Sequence, residues 1–260
     1  TPTDHASRHV DQRGQVVHGS QTNIAGDQHN QFLIEGGDRP KRQIDLGVAL
    51  ARLAQMPFDH LPERGNLPGN SQMPFGWNQH FVGRQEELMA LASALCKGNT
   101  AALVSASEPA SSTTNNTNSV AATGIGGVGK SQLAAAFVHY FGQYFLGGVF
   151  WISFATAEGV AAQVASCAEK MDDLPLWVHQ LPPAEQLPHV RRAWQEPLPR
   201  LLIFDNCEDP ALLQAWQPSS GGCHILLTSR RNRWNSAHGL TTVAVATLPR
   251  SQSVELLQKH

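Results

Sequence analysis

Gly124-Ile-Gly-Gly-Val-Gly-Lys130-Ser131 holds the densest chemical signal in the chain. Its pattern is G-x-x-x-x-G-K-S, in which glycines leave little side chain between the backbone and a ligand. The main-chain N–H groups of Gly124, Ile125, Gly126, Gly127, Val128 and Gly129 can therefore turn inward around phosphate oxygens. Lys130 supplies a point charge for the β- and γ-phosphates, and the Ser131 hydroxyl is suited to ligate Mg²⁺. A helix beginning at this point adds its positive end to the same site.

A phosphate loop needs a second anchor for the metal. Leu201-Leu-Ile-Phe-Asp205 has the expected form, a buried strand with an acid at its carboxyl end. Asp205 would hold a Mg²⁺-bound water while Ser131 ligates the ion directly. The next residue is Asn206, which cannot serve as a base, so the pattern favours nucleotide binding with slow hydrolysis. Glu208 and Asp209 read as first-turn residues of a following helix. Thr228-Ser229-Arg230 closes another strand, and Arg230 is either a γ-phosphate sensor or part of a solvated basic turn with Arg231 and Arg233.

The elements that must position these residues alternate between strand and helix, the sign of an α/β fold with a mainly parallel sheet. Five strands are expected: Ser119–Thr123, Gly148–Ser153, Leu201–Asp205, Ile225–Thr228 and Thr241–Val245. After Ser131 an apolar face of Leu133, Phe137, Tyr140, Phe141 and Tyr144 predicts a helix, and Val160, Val164, Cys167, Ala168 and Met171 predict another. A further helix falls around His189 to Trp194. Upstream, Phe81-Val-Gly-Arg84 leads into a helix with Leu88, Leu91, Ala92 and Leu95 on one face. Residues 105–118 are low in complexity and read as a surface insertion.

The N-terminal part has a different character. Residues 1–38 are polar and weakly patterned, and their four histidines match no metal spacing. A short amphipathic stretch follows around Ile44, Leu46, Val48, Leu50 and Leu53, then a Pro/Gly/Asn-rich connector from Pro57 to Pro74. The expected division is a polar segment and linker at 1–75 and a nucleotide-binding domain at 76–260.

Composition narrows the partners. The 260 residues carry a formal net charge of −2 and only 15% charged residues, with no basic run to attract nucleic acid or an anionic membrane. The cysteines Cys96, Cys167, Cys207 and Cys223 lack C-x-x-C spacing and read as reduced, buried thiols of a cytoplasmic protein. A start without methionine and an amphipathic run near His260 point to a piece of a longer protein.

With these motifs placed, the chain resembles the NB-ARC members of the STAND class of P-loop NTPases. The resemblance rests on Phe81-Val-Gly-Arg84, Gly124 to Ser131 with Gln132-Leu-Ala134, Leu201 to Asn206, and Ile225 to Arg230, covering about residues 76 to 260. It implies that Val82 and Arg84 contact the adenine and that the loop from Gly124 through Gln132 holds the diphosphate. It further implies that Ser131 and Asp205 handle Mg²⁺ and that Arg230 senses the γ-phosphate. A protein of this kind holds ADP when closed and exchanges it for ATP to open and self-associate. The winged-helix region of the family, with its nucleotide-contacting histidine, would lie beyond His260. Two other functions were weighed against the switch: a turnover-competent ATPase or phosphoryl-transfer enzyme built on Lys130, Asp205 and Arg230, and a DNA-binding regulator of the same class. Asn206 weighs against the first, and the absence of a basic helix against the second.

Overall fold

The computed structural model of the chain describes residues 9–10, 16–17, 43–97, 100–105, 128–231, 234 and 240–258. Two short strands, β1 (His9–Val10) and β2 (Val16–Val17), pair antiparallel. The main body is a five-stranded sheet of β3 (Thr100–Ser105), β4 (Val149–Ser153), β5 (Arg200–Asp205), β6 (Cys223–Thr228) and β7 (Thr241–Val245). Their spatial order is β4-β5-β6-β3-β7, and every pairing is parallel. The sheet is thus wholly rather than mainly parallel.

Burial explains the strand sequences. Every residue of β5 and β6 is buried, so both read as continuous apolar runs, as strands covered on both faces must. At one edge β7 alternates, with Val243 and Val245 buried between exposed Thr242 and Ala244. The other edge, β4, is closed by the chain itself. Gln72 N–H donates to the Val149 carbonyl (2.7 Å), and Trp151 N–H donates to the Gln72 carbonyl (2.9 Å). This covers an edge that would otherwise offer unpaired backbone groups.

The stretch Pro57 to Pro74, expected as a connector, is consequently packed onto the sheet. Leu61, Leu67 and Met73 lie against the core, and Phe75 meets Trp151 edge to face at 4.8 Å. Helix α1 (Leu46–Ala54) is capped by Asp45, whose side chain accepts from the Val48 N–H. It is tied down through Arg52, which donates to Gln143 Oε1 (3.0 Å) and lies over the Tyr144 ring. Its Leu46, Val48 and Leu50 are exposed.

Among the described residues there are six further α-helices: α2 (Gln85–Lys97), α3 (Lys130–Phe141), α4 (Ala157–Ser166), α5 (Pro183–Ala193), α6 (Pro210–Trp216) and α7 (Arg250–Gln258). The expected apolar face of α2 is buried in full, through Leu88, Leu91, Ala92 and Leu95. In α3 burial extends further round than one stripe, because Ala134, Ala135 and Ala136 let neighbouring elements approach closely. Phe137 and Phe141 stack at 4.7 Å within it. Helix α5 starts before the expected His189, with Pro183 in its first turn and Pro188 inside it.

Two expectations need correction. The strand between β6 and β7 is Thr100–Ser105, which is not among the five expected from the sequence; the expected strand Ser119–Thr123 lies outside the described residues. Thr-Ala-Ala-Leu-Val-Ser carries small residues, a weak strand signal on its own, and gains its place by pairing on both sides. The thiols differ from expectation as well: Cys167, Cys207 and Cys223 are buried, but Cys96 is exposed near the end of α2. None of the four is in a disulfide.

Candidate functional site

In an open parallel sheet, ligands meet the carboxyl ends of the strands, where loops leave for the helices. Asp205, Thr228 and the first turn of α3 converge at that edge. Helix α3 begins at Lys130 after Gly129, whose φ of +89° belongs to the left-handed region that glycine adopts without strain. A Cβ there would meet no described residue within 4 Å. Among the described residues no side chain caps this end. The positive dipole end of the helix lies at this edge.

Ser131 Oγ donates to Asp205 Oδ1 at 2.7 Å, joining the end of the glycine loop to the end of β5 across 74 residues of sequence. The same carboxylate oxygen accepts from Thr228 Oγ1 at 2.5 Å. Thr228 Oγ1 in turn accepts from the Asn206 N–H (3.0 Å), and the Thr228 carbonyl accepts from the Cys207 N–H (2.9 Å). Asp205 and Thr228 are buried, so these bonds are made in a low-dielectric setting that strengthens them. Thr228 had been read only as the end of a strand; here it orients the acid.

Asn206 has φ +59°, a left-handed conformation that asparagine tolerates better than most residues. This turn sends the chain back toward the end of β6. There Glu208 accepts from Ser229 Oγ (2.9 Å) and from the Arg230 N–H through both carboxylate oxygens (2.8 and 2.9 Å). Glu208 is therefore not a first-turn residue of α6. Asp209 caps that helix, accepting from the Ala211 N–H, and Glu208 lies ahead of the cap.

The charges at this edge act on Lys130. Burial pulls its ammonium below the ordinary lysine range; the Glu208 carboxylate opposes that, Arg230 adds to it, and Asp205 opposes it more weakly. Lys130, Glu208, Arg230 and Asp205 thus form one electrostatic group of two cations and two anions.

The Phe81-Val-Gly-Arg84 segment adjoins this edge. Phe81 N–H donates to the Asn78 carbonyl, and Asn78 Nδ2 donates to Gln132 Oε1 (3.0 Å) in the first turn of α3. Val82 is buried, and Arg84 is buried with its guanidinium on Glu87 (2.7 Å). Arg84 has φ +64°, a conformation that costs a non-glycine residue of order 1 kcal/mol. Gln252 of α7 covers Gly83, where a Cβ would collide with it.

The expected site residues Val128, Gly129, Lys130, Ser131, Gln132, Asp205 and Arg230 thus gather at one edge, whereas Val82 and Arg84 are linked to it through the segment that carries Asn78. Gly124, Ile125, Gly126 and Gly127 lie outside the described residues. A hydroxyl and a carboxylate in contact are hard oxygen donors of the kind Mg²⁺ takes. Among the described residues no group of three or more His, Cys, Asp or Glu could hold a metal. A Mg²⁺ ion here would complete its shell with water and phosphate oxygens, which is how that ion is commonly held. No helix among the described residues is long and apolar enough to cross a membrane. No protein-family model matches the chain, and no curated protein matches it.

Proposed function

We propose that the chain is the ADP/ATP-binding module of a cytoplasmic molecular switch of the NB-ARC type, in which nucleotide exchange controls self-association. The observation that carries this reading is the Ser131–Asp205 contact at 2.7 Å. It joins the last residue of the G-x-x-x-x-G-K-S pattern to the one acid that the pattern requires, at the ligand-binding edge of a parallel sheet.

In this reading Lys130 and the first N–H groups of α3 bind the phosphates, and Val82 and Arg84 border the base. Ser131 and Asp205 would hold Mg²⁺, which neutralises phosphate charge when bound. Asn206 offers no base, and the Glu208 carboxylate is held on Ser229 and Arg230 rather than left free to swing toward a water. The site suits retention of a nucleotide better than rapid turnover. A switch then needs ATP to favour a second arrangement through contacts that ADP lacks, and the proposed one is made by Arg230, whose charge acts on Lys130.

Gel filtration followed by nucleotide analysis tests this directly: ADP should copurify with the protein. Lys130→Ala should abolish nucleotide binding measured by calorimetry while leaving the circular dichroism spectrum intact. Normal ADP binding by that variant sinks the assignment. ATP turnover of about one per second or faster would favour the enzyme over the switch.

A further inference from the structure

Glu208 is exposed, yet its carboxylate is held in a fixed geometry. Both of its carboxylate oxygens are engaged, by the Ser229 hydroxyl and the Arg230 N–H, on a different strand end from its own. Two donors on one carboxylate, the Arg230 N–H shared between both oxygens, fix the backbone at 229–230 more firmly than a lone contact could, since bonds to an ionised acceptor are about twice as strong as neutral ones. Ser229 is buried and its Oγ also accepts from the Arg231 N–H (3.1 Å), so the turn is tied at successive residues.

Two further observations connect this clamp to the site. Asn206 must adopt its left-handed φ for the chain to reach the end of β6, and its N–H is held by Thr228 Oγ1, which also holds Asp205. The acid of β5 and the turn after β6 are therefore built from one hydrogen-bonded unit. Lys130 feels the charges of both Glu208 and Arg230, so the turn lies within electrostatic reach of the start of α3.

We propose that Glu208 is a positioning residue that fixes the Ser229–Arg230 turn, and thereby sets the preference of the site for a nucleoside triphosphate over a diphosphate. The inference rests on the nucleotide reading above. A diphosphate reaches Lys130 and the start of α3, whereas a third phosphate also needs a cation at a defined distance. Arg230 supplies it only while its backbone is held. Glu208 itself would not touch the nucleotide.

Removing the carboxylate has two opposite consequences. Loss of the clamp weakens triphosphate binding, whereas loss of a negative charge near the γ-phosphate strengthens it. Glu208→Gln separates them, because the amide oxygen still accepts from the Arg230 N–H while the charge is gone. Calorimetry with Mg·ATP and Mg·ADP on the full chain should show Glu208→Ala losing at least tenfold more affinity for ATP than for ADP. Arg230→Ala should show the same split, and the double variant no further loss, because the two residues act through one contact. Glu208→Gln should keep the ATP preference within threefold. The inference is overturned if Glu208→Ala keeps the wild-type preference, or if the double variant loses the product of the single effects. It is also overturned if the Gln variant loses as much as Ala. Wild-type protein that binds neither nucleotide would sink the nucleotide reading, and this inference with it. That outcome is distinct from binding with an unchanged preference.

Discussion

Asp205 is a structural joint at the oxygen that the proposed function also assigns to the metal. Its Oδ1 accepts from Ser131 and Thr228, so replacing it leaves two hydroxyls to find new partners. Asp205→Ala should lower stability by about 1–3 kcal/mol in denaturant melts. It should also weaken Mg²⁺-dependent ATP binding at least tenfold more than ADP binding; equal losses would remove the metal role. The cysteines give a second test at this scale. Burial pushes the Cys167, Cys207 and Cys223 thiols up to about 12, whereas Cys96 is exposed. A thiol reagent should therefore modify one cysteine of the native protein quickly and the other three only on unfolding. Rapid modification of more than one would contradict the packing of α4 and β6. Asp205, Lys130 and Ser131 were legible in the sequence because their types and spacing are tied to one chemistry. Thr228 and Glu208 were not, because a threonine ending a strand and an acid before a helix have many uses. Only the turn at Asn206 gives them this one.

The glycine turn that launches β4 joins three separate pieces of chain. Gly148 has φ +100°, and a Cβ there would stand 2.5 Å from the Asn70 carbonyl oxygen and about 3.0 Å from the Phe150 ring. The Gly148 carbonyl accepts from the Leu201 N–H, so the turn also sets the register of β4 against β5. Gly148→Ala combines backbone strain with a collision against main chain that cannot swing away. It should destabilise the protein by about 2–4 kcal/mol in urea melts. A loss below 0.5 kcal/mol would show that the Asn70 stretch does not lie on this edge. Helix and strand types came through well at this scale, because α2, α3, β5 and β6 carry strong periodic or continuous apolar signals. The docking of residues 57–75 did not. Its prolines and glycines signal only an absence of regular structure, while its attachment rests on Gln72, Phe75 and Trp77 meeting surfaces distant in sequence.

At the scale of the whole molecule, the sheet holds a titratable group whose charge it cannot accommodate. His224 lies in the all-buried strand β6 against Phe145, and burial pulls its imidazole down to about 4. The unfolded chain takes up this proton near pH 6.5, well before the folded one does. Between those values the unfolded state binds more protons, so this contribution is intact above about pH 6.5 and is lost as pH falls toward 4. The loss should approach about 3 kcal/mol, and His224→Leu should flatten that part of the stability profile. A variant profile parallel to wild type would remove His224 as the cause. The same burial makes the central strands the most protected part of the fold, so their amides should exchange slowest.

The chain by itself determined its class of scaffold: apolar runs that alternate with helical patterns specify an α/β fold with a parallel sheet. The glycine-rich loop ending in Lys130-Ser131 and the apolar run ending in Asp205 are legible as a matched pair of motifs, and phosphate and metal handling is the function proposed for them. What only the tertiary structure decided is which strand lies between β6 and β7, what covers the β4 edge, and how Asn206 turns Glu208 onto Arg230. Local patterns encode what a residue can do and which face of an element is apolar. Partners far apart in sequence are chosen by packing, because satisfying every buried donor and acceptor depends on all the elements at once.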